Sequence, residues 1–192
     1  SDDMINYGNN GYTMRDTYSH AVNSGSIEND WLFYRAYLGI NYANIIIDGI
    51  ENTYAGSLPC DDITAKKYVQ ECKFIRAISF YYLSQLFGQP YAYNPEASNI
   101  PIRITPVSTS GQNSCPASTI KEVLKQILDD TSDVSALPEN YSSSEFSSTK
   151  ASQAAAHALR MRVYMCMKDW TAAIEEGKKI SGFSLIPSIA TM

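Results

Sequence analysis

Residues 151–182 read ASQAAAHALRMRVYMCMKDWTAAIEEGKKISG, and this stretch decides the fold. Ala151, Ala154, Ala155, Ala156 and Ala158 favour helix and carry small side chains, so a helix built from them lets a neighbour approach closely. Thr149 stands ahead of it as a cap, and Asp169 caps a further helix that ends near Gly182 despite Gly177. The order Ala158-Leu159, Tyr164, Lys168-Asp169-Trp170, Ala173-Ile174 is that of two helices folded back on each other. In this reading Tyr164 fills the gap between them, and Trp170 with Ala173 seats the return helix. A buried Trp170 ring predicts a cost of about 3–5 kcal/mol for Trp170→Ala.

Working outward, the same helical period recurs. Ile120, Val123, Leu124, Ile127, Leu128 and Val134 lie on one face of a helix that follows Ser118 and stops before Leu137-Pro138. A Ser-rich loop, 141–148, separates it from the alanine-rich helix. Before it, Pro90, Pro95, Pro101, Pro106 and Pro116 exclude any long helix, because proline cannot donate a backbone hydrogen bond. Ahead of these prolines a long helix starts at Asp61-Asp62 and ends at Gly88. Tyr68, Cys72, Ile75, Ser79, Tyr82 and Leu86 form one of its stripes, and Val69, Arg76, Phe80, Leu83 and Phe87 the next. The first helix runs from about Asp30 to Glu51, capped by Asn29 or Asp30, with Trp31, Tyr34, Leu38, Tyr42 and Ile45 as its core stripe. Asn9-Asn10-Gly11 and Asn23-Ser24-Gly25 make the preceding residues mostly loop.

The expectation is an all-α, tetratricopeptide-like fold of helical hairpins with long irregular loops. It forms a single unit over 1–192: a leader (1–29), a first helix pair (30–88), a Pro-rich connector (89–117) and three helices (118–182). Because one hairpin cannot bury its apolar face alone, the pairs stack.

Composition narrows the function. Lys plus Arg is 15 against 20 Asp plus Glu, a formal charge of -5, which lacks the basic footprint of a nucleic-acid binder. Charged residues make up only 18%, while 14 Tyr and many Ser supply uncharged hydrogen-bonding groups. No apolar run reaches the roughly 18 residues that span a bilayer. Four cysteines, Cys60, Cys72, Cys115 and Cys166, form no C-x-x-C pair and do not reveal a compartment. The two histidines, His20 and His157, build no metal motif, and His157 reads as packed or surface histidine. Asp61-Asp62, Asp129-Asp130 and Glu175-Glu176 are chain neighbours that point apart on a helix, whereas glycosidase carboxylates face each other across a bond. Tyr7-Gly8-Asn9-Asn10-Gly11-Tyr12 reads as a turn without the strand-to-helix context of a dinucleotide site. No catalytic residue, metal site or cofactor is expected.

Sugars lay apolar C–H faces on exposed rings while flanking Asn, Asp and Arg groups bond their hydroxyls. The leader mixes such groups: Tyr7, Tyr12 and Tyr18 with Asp3, Arg15, Asp16, His20 and Asn23. Asp3, Arg15, Tyr18 and Asn23 are the ligand-binding candidates.

Taken together the segments resemble the SusD/RagB family of outer-membrane nutrient-binding lipoproteins. Trp31-x-x-Tyr34 with Asn41-x-x-Asn44 and Ile50 looks like that family's first helix. Glu71-x-x-Phe74-Ile75-Arg76-Ala77 with Leu83 and Phe87-Gly88-x-Pro90 looks like its second. Ile120 to Leu128, Asp130, Leu137-Pro138, Thr149-Lys150 and Asp169-Trp170-x-x-Ala173 keep the family's order. The resemblance implies a non-enzymatic protein of the outer cell surface, lipid-anchored in its parent form. Such a protein binds oligosaccharide, partly through the region before the first helix, and passes it to a TonB-dependent, SusC-like transporter. Family members are longer, so the chain reads as a fragment. The alternative is a generic helical-repeat adaptor holding a peptide or protein between its helix pairs.

Overall fold

A computed structural model describes residues 15–23, 25–112, 114–141 and 150–181. Among the described residues the chain forms six α-helices: α1 (Arg15–Tyr18), α2 (Ile27–Asp48), α3 (Asp62–Phe87), α4 (Ile120–Asp130), α5 (Gln153–Cys166) and α6 (Trp170–Lys178). A π-helical turn, Gly49–Thr53, extends α2, and a short 3-10 turn, Ser110–Gln112, interrupts the connector. The one β-type pairing among these residues is an isolated bridge between Ser98 and Thr119. The all-α expectation is met.

Local chemistry sets most of the helix ends. Asp61 Oδ1 accepts from the Thr64 amide at 2.7 Å and starts α3, which stops at Gly88. Gly88 is there for space rather than for an unusual φ: a Cβ on it would lie 1.5 Å from Asn99 Nδ2. Thr119 and Glu122 form a reciprocal capping box at α4, each side chain satisfying the other's backbone N–H. Two starts differ from the sequence reading. α2 begins three residues early, with Ser26 rather than Asn29 or Asp30 at the N-cap position and its hydroxyl turned to Asp16, and α5 is capped by Ser152. Thr149 lies outside the described residues, as do most of the leader and the Ser-rich loop. The described part of the leader contains the single turn α1.

α2 packs along α3, α3 along α4, and α5 against α6. The main core joins Ile40 of α2, Ala77, Phe80 and Leu83 of α3, Ile100 of the connector, Ile120, Val123, Leu124 and Ile127 of α4, and Leu159 and Val163 of α5. The α5–α6 turn is closed by Lys168 in the left-handed region (φ 61°) followed by the Asp169 cap. At Gly177 an added Cβ would meet Met161 Sδ at 3.3 Å, so its small size lets α6 lie close to α5.

Several core assignments are corrected. Trp31, Tyr34, Tyr42 and Ile45 are exposed, while Ile40, Ala43, Asn44 and Ile47 are buried, so α2 faces the core with the neighbouring stripe. On α3 the stripe of Val69, Arg76, Phe80 and Leu83 is buried, and Tyr68, Ile75, Tyr82 and Leu86 face outward. Trp170 is 57% exposed: it is the first residue of α6, directly after the cap, and its ring is largely solvated. Ala173 and Glu176 are the buried residues of that helix. Tyr164 is half-buried beside the Arg160 guanidinium, 5.8 Å from its ring centre.

Polar side chains explain why these faces turn inward. Residues 101–107 of the connector pair with no strand among the described residues, yet their alternate carbonyls at Pro101, Arg103, Thr105 and Val107 are satisfied by α2. Tyr37 donates to Pro101 O at 2.6 Å, Asn44 Nδ2 to Arg103 O and Thr105 O at 3.1 Å each, and Asn41 Nδ2 to Val107 O at 3.0 Å. The Val107 amide returns a bond to Asn41 Oδ1. Successive carbonyls of an extended chain alternate in direction, so residues spaced by two meet one helix face. Beneath them Arg76 is clamped by both oxygens of Asp130, at 2.6 and 2.8 Å, and donates to Asn44 Oδ1 at 2.7 Å. This buried network ties α2, α3, α4 and the connector together.

Candidate ligand-binding clefts

Because α2 and α3 run antiparallel, the start of α2 lies beside the end of α3, and the leader folds over this junction. Ser26 Oγ donates to Asp16 Oδ2 at 2.8 Å, and the Thr17 amide and hydroxyl both donate to Glu28 Oε1. The Glu28 carboxyl sits below its usual range, held there first by its own backbone N–H and, against the opposing effect of burial, by Thr17. Leader, α2 and α3 together enclose a cleft of about 920 Å³ whose walls include Asn23, Asn29, Asp30, Phe33, Phe87 and Gln89. Phe33 and Phe87 meet edge to face, 5.2 Å between ring centres.

A second cleft of about 650 Å³ shares Asp30 and Phe33 and runs along the α2–connector seam past Tyr34, Tyr37, Asn41 and Arg103. Its polar groups are largely committed to structure. Burial pushes the Tyr37 phenol far above its usual range, with Cys115 adding to the effect, so Tyr37 stays protonated as a donor to the connector. Tyr34, 60% exposed, and Trp31, with the Arg35 guanidinium 4.9 Å over its ring, stand on the outer surface of α2. Both volumes fall in the range of small-ligand pockets.

Of the four residues singled out from the sequence, Asp3 lies outside the described residues. Arg15 and Tyr18 are exposed on α1, away from the walls of either cleft. Asn23 lines the larger cleft, but its carboxamide closes a turn, Oδ1 accepting from the Gly25 amide at 2.8 Å and Nδ2 donating to Ala21 O. The structure therefore does not bring Arg15, Tyr18 and Asn23 together around one pocket. Asn29, Asp30, Phe33 and Gln89 also line that cleft and were not singled out from the sequence, the first two because they look like caps and Phe33 because it sits in a helix. The signal was present: three successive polar residues, Glu28-Asn29-Asp30, are more than one helix start needs.

Elsewhere His157 Nδ1 and Arg160 Nε hold the buried Glu176 carboxylate at 2.7 and 2.9 Å, with Lys179 at 3.2 Å. This cluster fastens α5 to α6, and Arg160 reaches on to Leu128 O at the end of α4. No group of three or more His, Cys, Asp or Glu that could hold a metal occurs among the described residues. No described helix is long and apolar enough to cross a membrane.

The geometry can now be set beside known proteins. A family model described as SusD-like, starch-binding and associating with the outer membrane, matches residues 3–165. A SusD superfamily protein from Bacteroides fragilis is similar at 38% identity and TM-score 0.83, covering 94% of this chain and 41% of that one. One from Bacteroides thetaiotaomicron is similar at 25% identity and TM-score 0.76, covering 90% and 36%. A protein described as a laminarin-binding SusD-like protein shares the fold at TM-score 0.72 and 21% identity, covering 90% and 34%. The chain thus spans well under half the length of these relatives. Comparison with curated proteins gives no match. With that family model matched over residues 3–165 and a 38%-identical relative covering 94% of it, the chain belongs to the SusD-like family.

Proposed function

We propose that the chain is the helical-repeat part of a non-catalytic, lipid-anchored nutrient-capture protein at the outer cell surface. It binds oligosaccharide and hands it to a TonB-dependent, SusC-like transporter. The observation that carries this reading is the family match across residues 3–165, whose description joins starch binding to the outer membrane. Two features agree with it. A ligand-sized cleft lies where the leader meets the first hairpin, and the rings around it accompany uncharged or acidic side chains rather than basic ones. In this reading Arg15 and Tyr18, with Asp3, contact ligand from the leader, and Asn23 shapes the turn beside the cleft.

The test uses the full-length protein in affinity gels containing starch or laminarin, the second chosen because a similar structure is described as binding it. Retarded migration, no release of reducing sugar, and co-purification with an outer-membrane transporter are expected. Migration unaffected by every neutral polysaccharide overturns the capture reading. Within it, Tyr18→Ala should weaken binding by about 1 kcal/mol, several-fold, if that ring stacks on sugar.

A further inference from the structure

We infer that the cleft between the first turn of α2 and the end of α3 is a subsite for a neutral sugar, with Asn29, Asp30 and Gln89 bonding its hydroxyls, and that it discriminates against anionic sugars. This rests on the capture reading and goes beyond it in naming the residues and the charge class. The first observation is that α2 starts at Ile27, with Ser26 at the N-cap position and its hydroxyl turned to Asp16, so Asn29 and Asp30 lie inside the first turn and cap nothing. Neither makes a side-chain hydrogen bond or ion pair to any described residue, nor does Gln89, which follows Gly88 at the end of α3. All three line the cleft. Asp30 and Gln89 are exposed and Asn29 is half-buried, so all three are open to a ligand, whereas Asn23, Asn41 and Asn44 are engaged by backbone partners.

The second observation is what they surround. Phe33 and Phe87 supply partly exposed apolar surface in the same cleft, and Gly88 presents bare backbone between Phe87 and Gln89. Carboxamides offer a donor and an acceptor each, and a carboxylate offers acceptors only. Hydroxyl groups, which both donate and accept, match that set, and the rings match the C–H face of a pyranose. The third observation fixes the charge. Asp30 is the only ionisable side chain of the cleft wall among the described residues, with no Lys, Arg or His there. A uronate or sulfated sugar would place its charge beside Asp30 without a compensating cation, and like charges repel, modestly at a solvated site such as this.

The experiment is calorimetric titration of the full-length protein with maltoheptaose, laminarihexaose and hexagalacturonate. At least one neutral glucan should bind about tenfold tighter than the galacturonate. Asn29→Ala/Asp30→Ala/Gln89→Ala should weaken that glucan by about tenfold or more, the effect of losing two or three ordinary hydrogen bonds. Trp170→Ala, remote from the cleft, should leave it unchanged. Asp30→Asn should keep the neutral affinity while narrowing the gap to galacturonate, an outcome that a merely structural Asp30 would not produce. Circular dichroism confirms that each variant folds. If glucans bind but the triple variant matches the wild type, this inference is overturned and the capture reading stands. If nothing in the panel binds, both fall. Galacturonate bound as tightly as glucan overturns the charge argument.

Discussion

Removing the Asp130 carboxylate should be among the most damaging single changes in this chain. Asp130 and Arg76 have side chains only 3% and 6% exposed, and the carboxylate grips the guanidinium with both oxygens while also accepting from Gln126 Nε2 at 2.9 Å. Asp130→Ala leaves the Arg76 charge buried, with Asn44 and, at 3.4 Å, the Ile104 carbonyl as its remaining partners. Breaking a buried ion pair in this way costs about 3–5 kcal/mol. For a chain of this size, about 2–4 °C of melting temperature per kcal/mol converts that to a loss of roughly 6–20 °C. Replacing both partners by apolar residues of similar volume, Arg76→Met with Asp130→Leu, should recover most of the loss, because desolvating two charges offsets much of their attraction. Recovery will be incomplete to the extent that Asn44, which also holds the connector carbonyls, loses its Arg76 donor. The assay is urea and thermal denaturation followed by circular dichroism on wild type, both single variants and the double variant. A cost below about 1 kcal/mol for Asp130→Ala, the range of an exposed pair, would refute the claim that this network is the joint between the helices and the connector.

Other substitutions test particular contacts. Gly88→Ala should destabilise by about 1–3 kcal/mol, because its Cβ would run into Asn99, and Asn99→Ala should relieve part of that loss; thermal melts of the two singles and the double decide it. Thr119→Ala removes the capping box of α4 and should cost about 1 kcal/mol by urea titration. Trp170→Ala should shift the melting temperature little, since the ring is mostly solvated; a loss of several degrees would place the indole in a packed site. The Glu176 carboxyl, although burial opposes it, is held below its usual range by Arg160, His157 and Lys179. The unfolded chain therefore takes up a proton first as pH falls, so the stability this residue contributes is present above the ordinary glutamate range and is lost through and below it. Protection factors at α5 and α6, corrected for the intrinsic exchange rate, should fall in acid, and Glu176→Gln should flatten that dependence.

Helix ends were readable because their signals are local. Asp61 and Asp169 act within three residues and the observed boundaries follow them, whereas the Thr119–Glu122 box was not read and Gly88 answers to Asn99, eleven residues on. Burial was harder to read, for a physical reason visible in α2. Trp31, Tyr34, Tyr42 and Ile45 make a more apolar stripe than the buried face, which carries Asn44 and borders Asn41 and Tyr37. Those polar residues turn inward because the connector, some 60 positions away in sequence, offers carbonyls that need donors. Hydrophobic period counts apolar residues and cannot count distant hydrogen-bond partners. Arg76 misleads in the same way on α3, since its burial depends on Asp130 in α4. Trp170 misleads through position: a ring at the first turn after a cap has no preceding turn to cover it. The candidate site shows a related pattern. Asn23 was singled out as a turn residue able to bond a hydroxyl, and it does line the cleft, but its carboxamide closes the turn. Asn29 and Asp30 were passed over because an ordinary capping role was available, and only the position of Ser26 frees them.

The most direct test of the account is nuclear magnetic resonance titration of the full-length protein, isotopically labelled, with laminarihexaose and maltoheptaose at millimolar concentrations. The account predicts saturable shifts for at least one of these glucans, centred on the amides of residues 29–33 and 86–89 with the Asn29 and Gln89 carboxamides, and no comparable shifts along α6. Shifts centred on any other surface, or none at saturating sugar for either glucan, would contradict it.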